Sequence, residues 1–117
     1  MFRRFQTDRD IVLIDQRGTG GSNPLDCSAD DEDEDLDSID EYPVQRFRTC
    51  LEQLQADAAL YTTAIAMDDV DDVRAWLGYP QVNLWGGSYG TRAALVYLKQ
   101  HEAVVRSVVL DGVAPPD

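Results

Sequence analysis

Apolar and polar positions along this chain fall into blocks, and the period changes from block to block. Residues 10–15, DIVLID, are a short apolar run with β-branched members, followed by glycine-rich polar sequence. Such a run reads as a buried strand of the parallel kind. Residues 16–24, QRGTGGSNP, are dense in Gly, Ser, Asn and Pro and predict a loop. Beyond Pro43 the period lengthens. Val44, Phe47, Leu51, Leu54, Ala58, Tyr61 and Ile65 recur at alternating steps of three and four, the stripe of an amphipathic helix. The helix is expected over 44–60. The threonine pair in YTTAIAM predicts a break, because β-branched side chains lose χ1 freedom in a helix.

A second helix is expected over 69–77. Asp68 is placed to cap it, and Asp69, Asp71 and Asp72 fall in its first turn, where the helix dipole favours anions. Val70, Val73, Trp76 and Leu77 form its apolar side, and Gly78 stops it. QVNLW, residues 81–85, reads as a strand. A helix over about 90–100 places Gly90, Ala94 and Tyr97 on one side, and a third strand is expected at about 106–110 within VVRSVVLDGV. The order strand, helices, strand, helix, strand defines an α/β chain with three parallel strands and right-handed crossovers.

Composition narrows the partners. The chain has 117 residues, one domain at most, and 44% of them are hydrophobic. No apolar run reaches the roughly 18 residues that a membrane span needs, so no membrane partner is expected. The start, MFRRFQTDRD, has basic residues but no apolar core, and so does not read as a signal peptide. A net charge of −12 argues against nucleic acid and anionic membranes, both of which need clustered Lys and Arg. Residues 30–41 carry nine acids and no base, the pattern of a solvated, self-repelling loop. Calcium binding is the sharper alternative, but the EF-hand spacing with its central glycine is absent; neither a metal site nor a cofactor is expected. Cys27 and Cys50 flank this block. A bridge between them would close a loop of about 23 residues, worth roughly 3 kcal/mol in the chain-entropy model. Spacing alone leaves a bridge and two free thiols equally open.

The chemistry concentrates at Gly86-Gly87-Ser88-Tyr89-Gly90, which fits G-x-S-x-G. The pattern is loose, but here a predicted strand precedes it and a predicted helix follows, the context of a nucleophile elbow. Ser88 would then be the nucleophile. Gly86 and Gly90 would let strand and helix approach, and the backbone N–H of Tyr89 would face an oxyanion beside a helix N-terminus. The plain alternative is a glycine-rich strand–helix turn, such as one that holds a phosphate. A dinucleotide fingerprint is excluded, because G-x-G-x-x-G does not occur there.

Four stretches together resemble one family: DIVLIDQRGTGGSNPLDC, YTTAIAMDDVDDVRAWLGY, VNLWGGSYGTRAALVYLKQH and VRSVVLDGVAPP. They resemble, in order, α/β-hydrolases of the prolyl iminopeptidase and tripeptidyl aminopeptidase type. The most diagnostic parts are D-Q-R-G-x-G-x-S at 15–22 and G-G-S-Y-G at 86–90. The resemblance implies a serine peptidase that releases residues from peptide N-termini, with Ser88 as nucleophile and the Tyr89 N–H as oxyanion donor. An esterase or acyltransferase of the same fold, acting on a small acyl substrate, is the alternative; a non-catalytic remnant whose acidic loop binds a cation or a basic partner is a third. The resemblance also implies a Cys27–Cys50 disulfide, since the secreted branch carries cysteines at both places, and with it a periplasmic or secreted location.

Set against that family, the chain is expected to be an internal slice of a larger enzyme. Its triad order is Ser, then acid, then His, and only 29 residues follow Ser88. Their one histidine, His101, lies 13 positions on, at the far end of the predicted helix and about 17–20 Å away. A nucleophile–base hydrogen bond needs about 3 Å. Asp111 ends the third strand and reads as shaping the turn there. The family's catalytic acid comes one strand later, and its second oxyanion donor, a His-Gly-Gly-Pro-Gly-type loop, precedes DIVLID. The family also places a further strand between residues 10–15 and 81–85, so those two either pair directly or keep unpaired edges. Lacking the N-terminal strands, the cap domain and the C-terminal acid and His, the chain is expected to be inactive alone.

Overall fold

The computed structural model describes residues 6–26, 44–54 and 56–114, without the side chains of Gln45 and Arg46. In chain order it contains α1 (Val44–Gln53), a 3-10 turn (Ala58–Leu60), α2 (Thr63–Trp76), β1 (Val82–Gly87), α3 (Tyr89–Gln100), a second 3-10 turn (Glu102–Val104) and β2 (Val105–Asp111). β1 and β2 pair in parallel, with Leu84 opposite Val108 and Gly87 opposite Asp111. α3 is the crossover between them, so β1, α3 and β2 form one βαβ unit.

The expected helix over 69–77 starts earlier, at Thr63. Thr62 is its N-cap and accepts the N–H of Ile65 on its side chain at 3.4 Å. The threonine pair therefore begins a helix instead of breaking one, because a hydroxyl that satisfies an orphan amide outweighs a small propensity cost. The four aspartates fall inside α2, and Asp68, Asp69 and Asp71 find partners on other elements, described below. The C-terminus behaves as expected. Gly78 has φ +78, its N–H donates to Ala75 O, and Tyr79 N–H donates to Arg74 O. This is a Schellman motif, which a side chain at Gly78 would strain.

The first expected helix is shorter than its apolar stripe. It ends at Gln53, and Ala58 and Tyr61, at the far end of the same stripe, lie in and just after the 3-10 turn. Asp57 caps that turn through its side chain, which accepts the N–H of Ala59 at 3.0 Å. A local cap outcompetes continuation of the helix.

Packing centres on α2 and α3. Ala66 and Met67 of α2 meet Ala93 and Tyr97 of α3, and Val70, Val82, Leu84, Val96, Val104 and Val105 close around them. Tyr97 is completely buried. Its hydroxyl donates to Asp71 at 2.8 Å. Arg74 grips the same carboxylate with Nε at 2.6 Å and Nη2 at 3.1 Å, while its Nη1 donates to Tyr79 O at 2.6 Å. Trp76, expected on the apolar side of α2, instead stands 84% exposed.

The first of the three expected strands does not form. Residues 10–15 carry no strand, so the sheet has two strands and not three. They line a groove of about 790 Å³, to which Ile11, Val12 and Leu13 contribute together with Val82, Leu84 and Trp85 of β1. Strands pair only when their backbones lie about 4.7–4.9 Å apart. No such ladder reaches residues 10–15, and Leu13 is 84% exposed. The segment is fixed from its ends instead. Tyr79 donates to Asp10 at 2.5 Å, and Arg17 binds Asp69 with Nε at 2.6 Å and Nη2 at 2.5 Å.

Candidate active site

β1 ends in Gly86 and Gly87, α3 begins at Tyr89, and Ser88 is the single residue between them. The reversal from strand to helix within one residue demands an unusual backbone. Ser88 has φ +50 and ψ −120, a sparsely populated region for a residue with a Cβ. Gly86 makes the close approach possible, because a Cβ there would overlap the carbonyl of Gly90. The same reasoning does not extend to Gly90, contrary to expectation: a Cβ at that position meets nothing within 4 Å. At Gly87 a Cβ would crowd the Trp85 ring at 2.9 Å.

Ser88 is exposed, and among the described residues its hydroxyl makes no hydrogen bond. Its backbone is held on both sides. The N–H donates to Asp111 O at 2.9 Å, and the carbonyl accepts Thr91 N–H at 2.9 Å. Asp111 therefore meets the elbow through its carbonyl, in keeping with a turn-shaping role. The N–H of Tyr89 is the first of a 12-residue helix, where the amides lack intrahelical acceptors and the dipole favours an anion.

The glycine-rich loop after residue 15 packs beside this corner. It is knotted internally: Gly18 N–H donates to Ser22 O at 2.8 Å, Thr19 N–H to Gln16 O at 2.9 Å, and Gly21 N–H to the Asp15 carboxylate at 2.8 Å. Arg17 ties it to α2 through Asp69 and to the 3-10 turn through Leu60 O at 2.8 Å. The guanidinium holds the Asp69 carboxyl below the usual carboxylate range. The Tyr89 hydroxyl bonds Thr63 at 3.0 Å and donates to Gln16 at 3.4 Å. Gln16, Thr63 and Tyr89 thus join loop, α2 and elbow. Sequence reasoning took D-Q-R-G as a family signature and missed these contacts, since its partners lie 43 to 73 positions away.

His101 stands apart from Ser88, as the C-cap of α3. Its Nε2 lies 3.0 Å from Asp68, its Nδ1 3.7 Å from Asp71, and its ring rests on Tyr97 with centroids 4.9 Å apart. It belongs to the network that joins α2 to α3. Within that network the Arg74 guanidinium, then the Tyr97 hydroxyl, hold the Asp71 carboxyl down at about 2, and burial beside Asp71 pushes the Tyr97 hydroxyl up to about 12. Cys50 sits half-buried in α1 and carries no free thiol. Cys27 and the acidic run at 30–41 lie outside the described residues. Among the described residues no cluster of His, Cys, Asp or Glu is arranged to hold a metal, and no helix is long and apolar enough to cross a membrane.

A strand, a one-residue turn at positive φ and a crossover helix are the centre of an α/β-hydrolase sheet, and the whole chain, residues 1–117, matches the family model described as alpha/beta hydrolase fold. The chain belongs to that family. It is 35% identical over 104 residues to a probable proline iminopeptidase of Streptomyces coelicolor, covering 89% of this chain and 24% of that protein. It is 29% identical over 103 residues to the proline iminopeptidase of Neisseria gonorrhoeae, covering 88% and 24%. It is 27% identical over 123 residues to the serine protease Hip1 of Mycobacterium bovis, covering 92% and 24%. The chain therefore spans about a quarter of the length of these relatives. No solved structure matches it.

Proposed function

We propose that this chain carries the nucleophile of a serine peptidase that releases residues from peptide N-termini, with Ser88 forming the acyl-enzyme. One observation carries the reading: an exposed serine hydroxyl, unbonded among the described residues, at positive φ between a parallel strand and its crossover helix. In the reaction Ser88 Oγ bonds to the scissile carbonyl carbon, and its proton passes to a general base. The C–N bond then breaks, the amine leaves with the proton, and water releases the acyl group. The Tyr89 N–H supports the oxyanion. The base is not His101, which is engaged about 18 Å away along α3 with Asp68 and Asp71. The chain of 117 residues is therefore inert alone. The peptidase names of the relatives favour peptide over ester substrates.

Fluorophosphonate labelling tests this reading. A polypeptide of the relatives' full length that carries this sequence becomes labelled at Ser88, and its S88A variant does not. The 117-residue chain stays unlabelled; rapid labelling of it would overturn the claim that it is inert. Hydrolysis of aminoacyl arylamides by the longer polypeptide supports a peptidase, whereas turnover of short acyl esters alone would assign an esterase or acyltransferase.

The Cys27–Cys50 bridge and a periplasmic or secreted location belong to the same reading. They rest on the family resemblance and on the absence of a free thiol at Cys50. Thiol titration of the unfolded chain finds two thiols after reduction and none before; two before reduction would remove the bridge.

A further inference from the structure

We infer that Thr91 is the positioning residue of the elbow: its hydroxyl clamps the Ser88 carbonyl, which itself takes the amide a serine cap would take, and so keeps the Ser88 hydroxyl free to react. The inference rests on Ser88 being the nucleophile. A serine at a helix N-cap ordinarily turns its hydroxyl back to accept the N–H of the second or third helical residue. Ser88 is the N-cap of α3, yet its side chain makes no capping bond. The third amide is that of Thr91, and the Ser88 carbonyl takes it at 2.9 Å. The Thr91 hydroxyl donates to the same carbonyl at 2.7 Å and accepts the N–H of Ala114 at 2.9 Å.

Thr91 is 0% exposed, so its hydroxyl has no water as an alternative partner, and its one proton is committed to Ser88. A residue held at φ +50 and ψ −120 is strained and stays there only when its surroundings over-determine it. Here Asp111 holds the N–H, and Thr91 holds the carbonyl twice. The bond to Ala114 extends the clamp to the chain leaving β2, so the exit of β2 and the elbow are fastened to one hydroxyl. Without it, the Ser88 carbonyl loses one of these bonds, and Ser88 Oγ is free to fold back onto the amides at the start of α3. Thr91 acts on the reaction only through the orientation of Ser88.

The test is amide hydrogen exchange on the ¹⁵N-labelled 117-residue chain as wild type, Thr91→Val and Thr91→Ser. Valine keeps the shape and removes the hydroxyl; serine keeps the hydroxyl. Losing one hydrogen bond of about 1 kcal/mol predicts exchange roughly fivefold faster at Ser88 and Ala114 in Thr91→Val. Leu84 and Val108, inside the sheet, keep wild-type exchange, and Thr91→Ser restores Ser88 and Ala114. Wild-type exchange at Ser88 and Ala114 in Thr91→Val overturns the proposal, as does uniform acceleration of all four amides. If Thr91→Val does not fold, Thr91→Ser decides: wild-type exchange at Ser88 and Ala114 supports the clamp, and acceleration there defeats it. These readouts need no turnover, so an unlabelled Ser88 in the longer polypeptide counts against the nucleophile alone.

Discussion

The two halves of this molecule both carry apolar stripes and use them differently. Between Thr63 and Asp111 the pattern builds a core: α2 and α3 bury Ala66, Met67, Ala93 and Tyr97 against one another and against the valines of the sheet, although Trp76 and Val109 stay exposed. Among the described residues between 10 and 53 it is met less fully. Val12 and Leu13 stay exposed, and Val44, Phe47 and Leu51, the stripe of α1, remain about half exposed. Burial is a property of pairs of surfaces. An apolar stripe earns its roughly 25 cal/mol per Å² only where another surface meets it. The second half is a βαβ unit with a helix packed beside it, and it supplies its own surfaces. Among the described residues of the first half, the pattern is only partly covered.

The largest test of this contrast is a pair of truncations. Tyr97→Ala removes the most deeply buried ring and is expected to cost about 3–5 kcal/mol, whereas Phe47→Ala costs less than about 1 kcal/mol. Urea denaturation of both variants measures the difference, and equal losses would show that α1 packs as tightly as the core.

Next comes the charge network under Tyr97. The Asp71 carboxyl is held at about 2, below its ordinary 3.8. Its contribution to stability is therefore complete above about pH 4 and is lost as pH falls toward 2. The Tyr97 hydroxyl is raised from 10 to about 12, so stability also declines as pH rises through that interval. Asp71→Asn is expected to cost about 2 kcal/mol near neutrality, by weakening the grip of Arg74 and removing a charge-assisted acceptor, and to flatten the acid limb. Tyr97→Phe flattens the alkaline limb. Thermal melts across pH decide; an unchanged acid limb in Asp71→Asn would assign that limb to other carboxylates.

A smaller effect is expected at the tie between the halves. Arg17→Ala breaks a partly exposed ion pair and costs at most about 1 kcal/mol globally. It should nevertheless loosen the glycine loop selectively, seen as faster amide exchange at Gly18 and Ser22 than in the sheet. The smallest change is Leu13→Ser, within about 0.5 kcal/mol, although residue 13 lies in the strongest strand pattern of the first half. Leu84→Ser, on β1, should cost about 2 kcal/mol or more. A comparable loss at Leu13 would mean that residues 10–15 are packed in solution.

Much of the site was legible because its signals are local. G-G-S-Y-G after QVNLW needs only a strand, a tight turn and a helix, and all three lie within 20 residues of one another. Gly78 was legible for the same reason, since a Schellman end is written in a few consecutive residues. The start of α2 was misread because four aspartates resemble the acidic first turn of a helix. Three of them serve other elements: Asp68 meets His101, Asp69 meets Arg17, and Asp71 meets Tyr97 as well as Arg74. Thr91 was overlooked because a threonine near a helix start is ordinary by type. Only its 0% exposure and its two bonds, to Ser88 and Ala114, set it apart.

By itself, then, the sequence determined the α/β class, the βαβ unit from Val82 to Asp111, the stop at Gly78 and the serine at the elbow. Each of these follows from backbone sterics and short-range hydrogen bonding, which neighbouring residues control. The tertiary structure decided whether residues 10–15 become a strand, which aspartates cap and which pair, and what holds Ser88 in its strained conformation. Each of these depends on a partner brought close from a distant part of the chain. The run at 10–15 has the residues of a strand, but a strand exists only where another backbone lies close enough to share its hydrogen bonds.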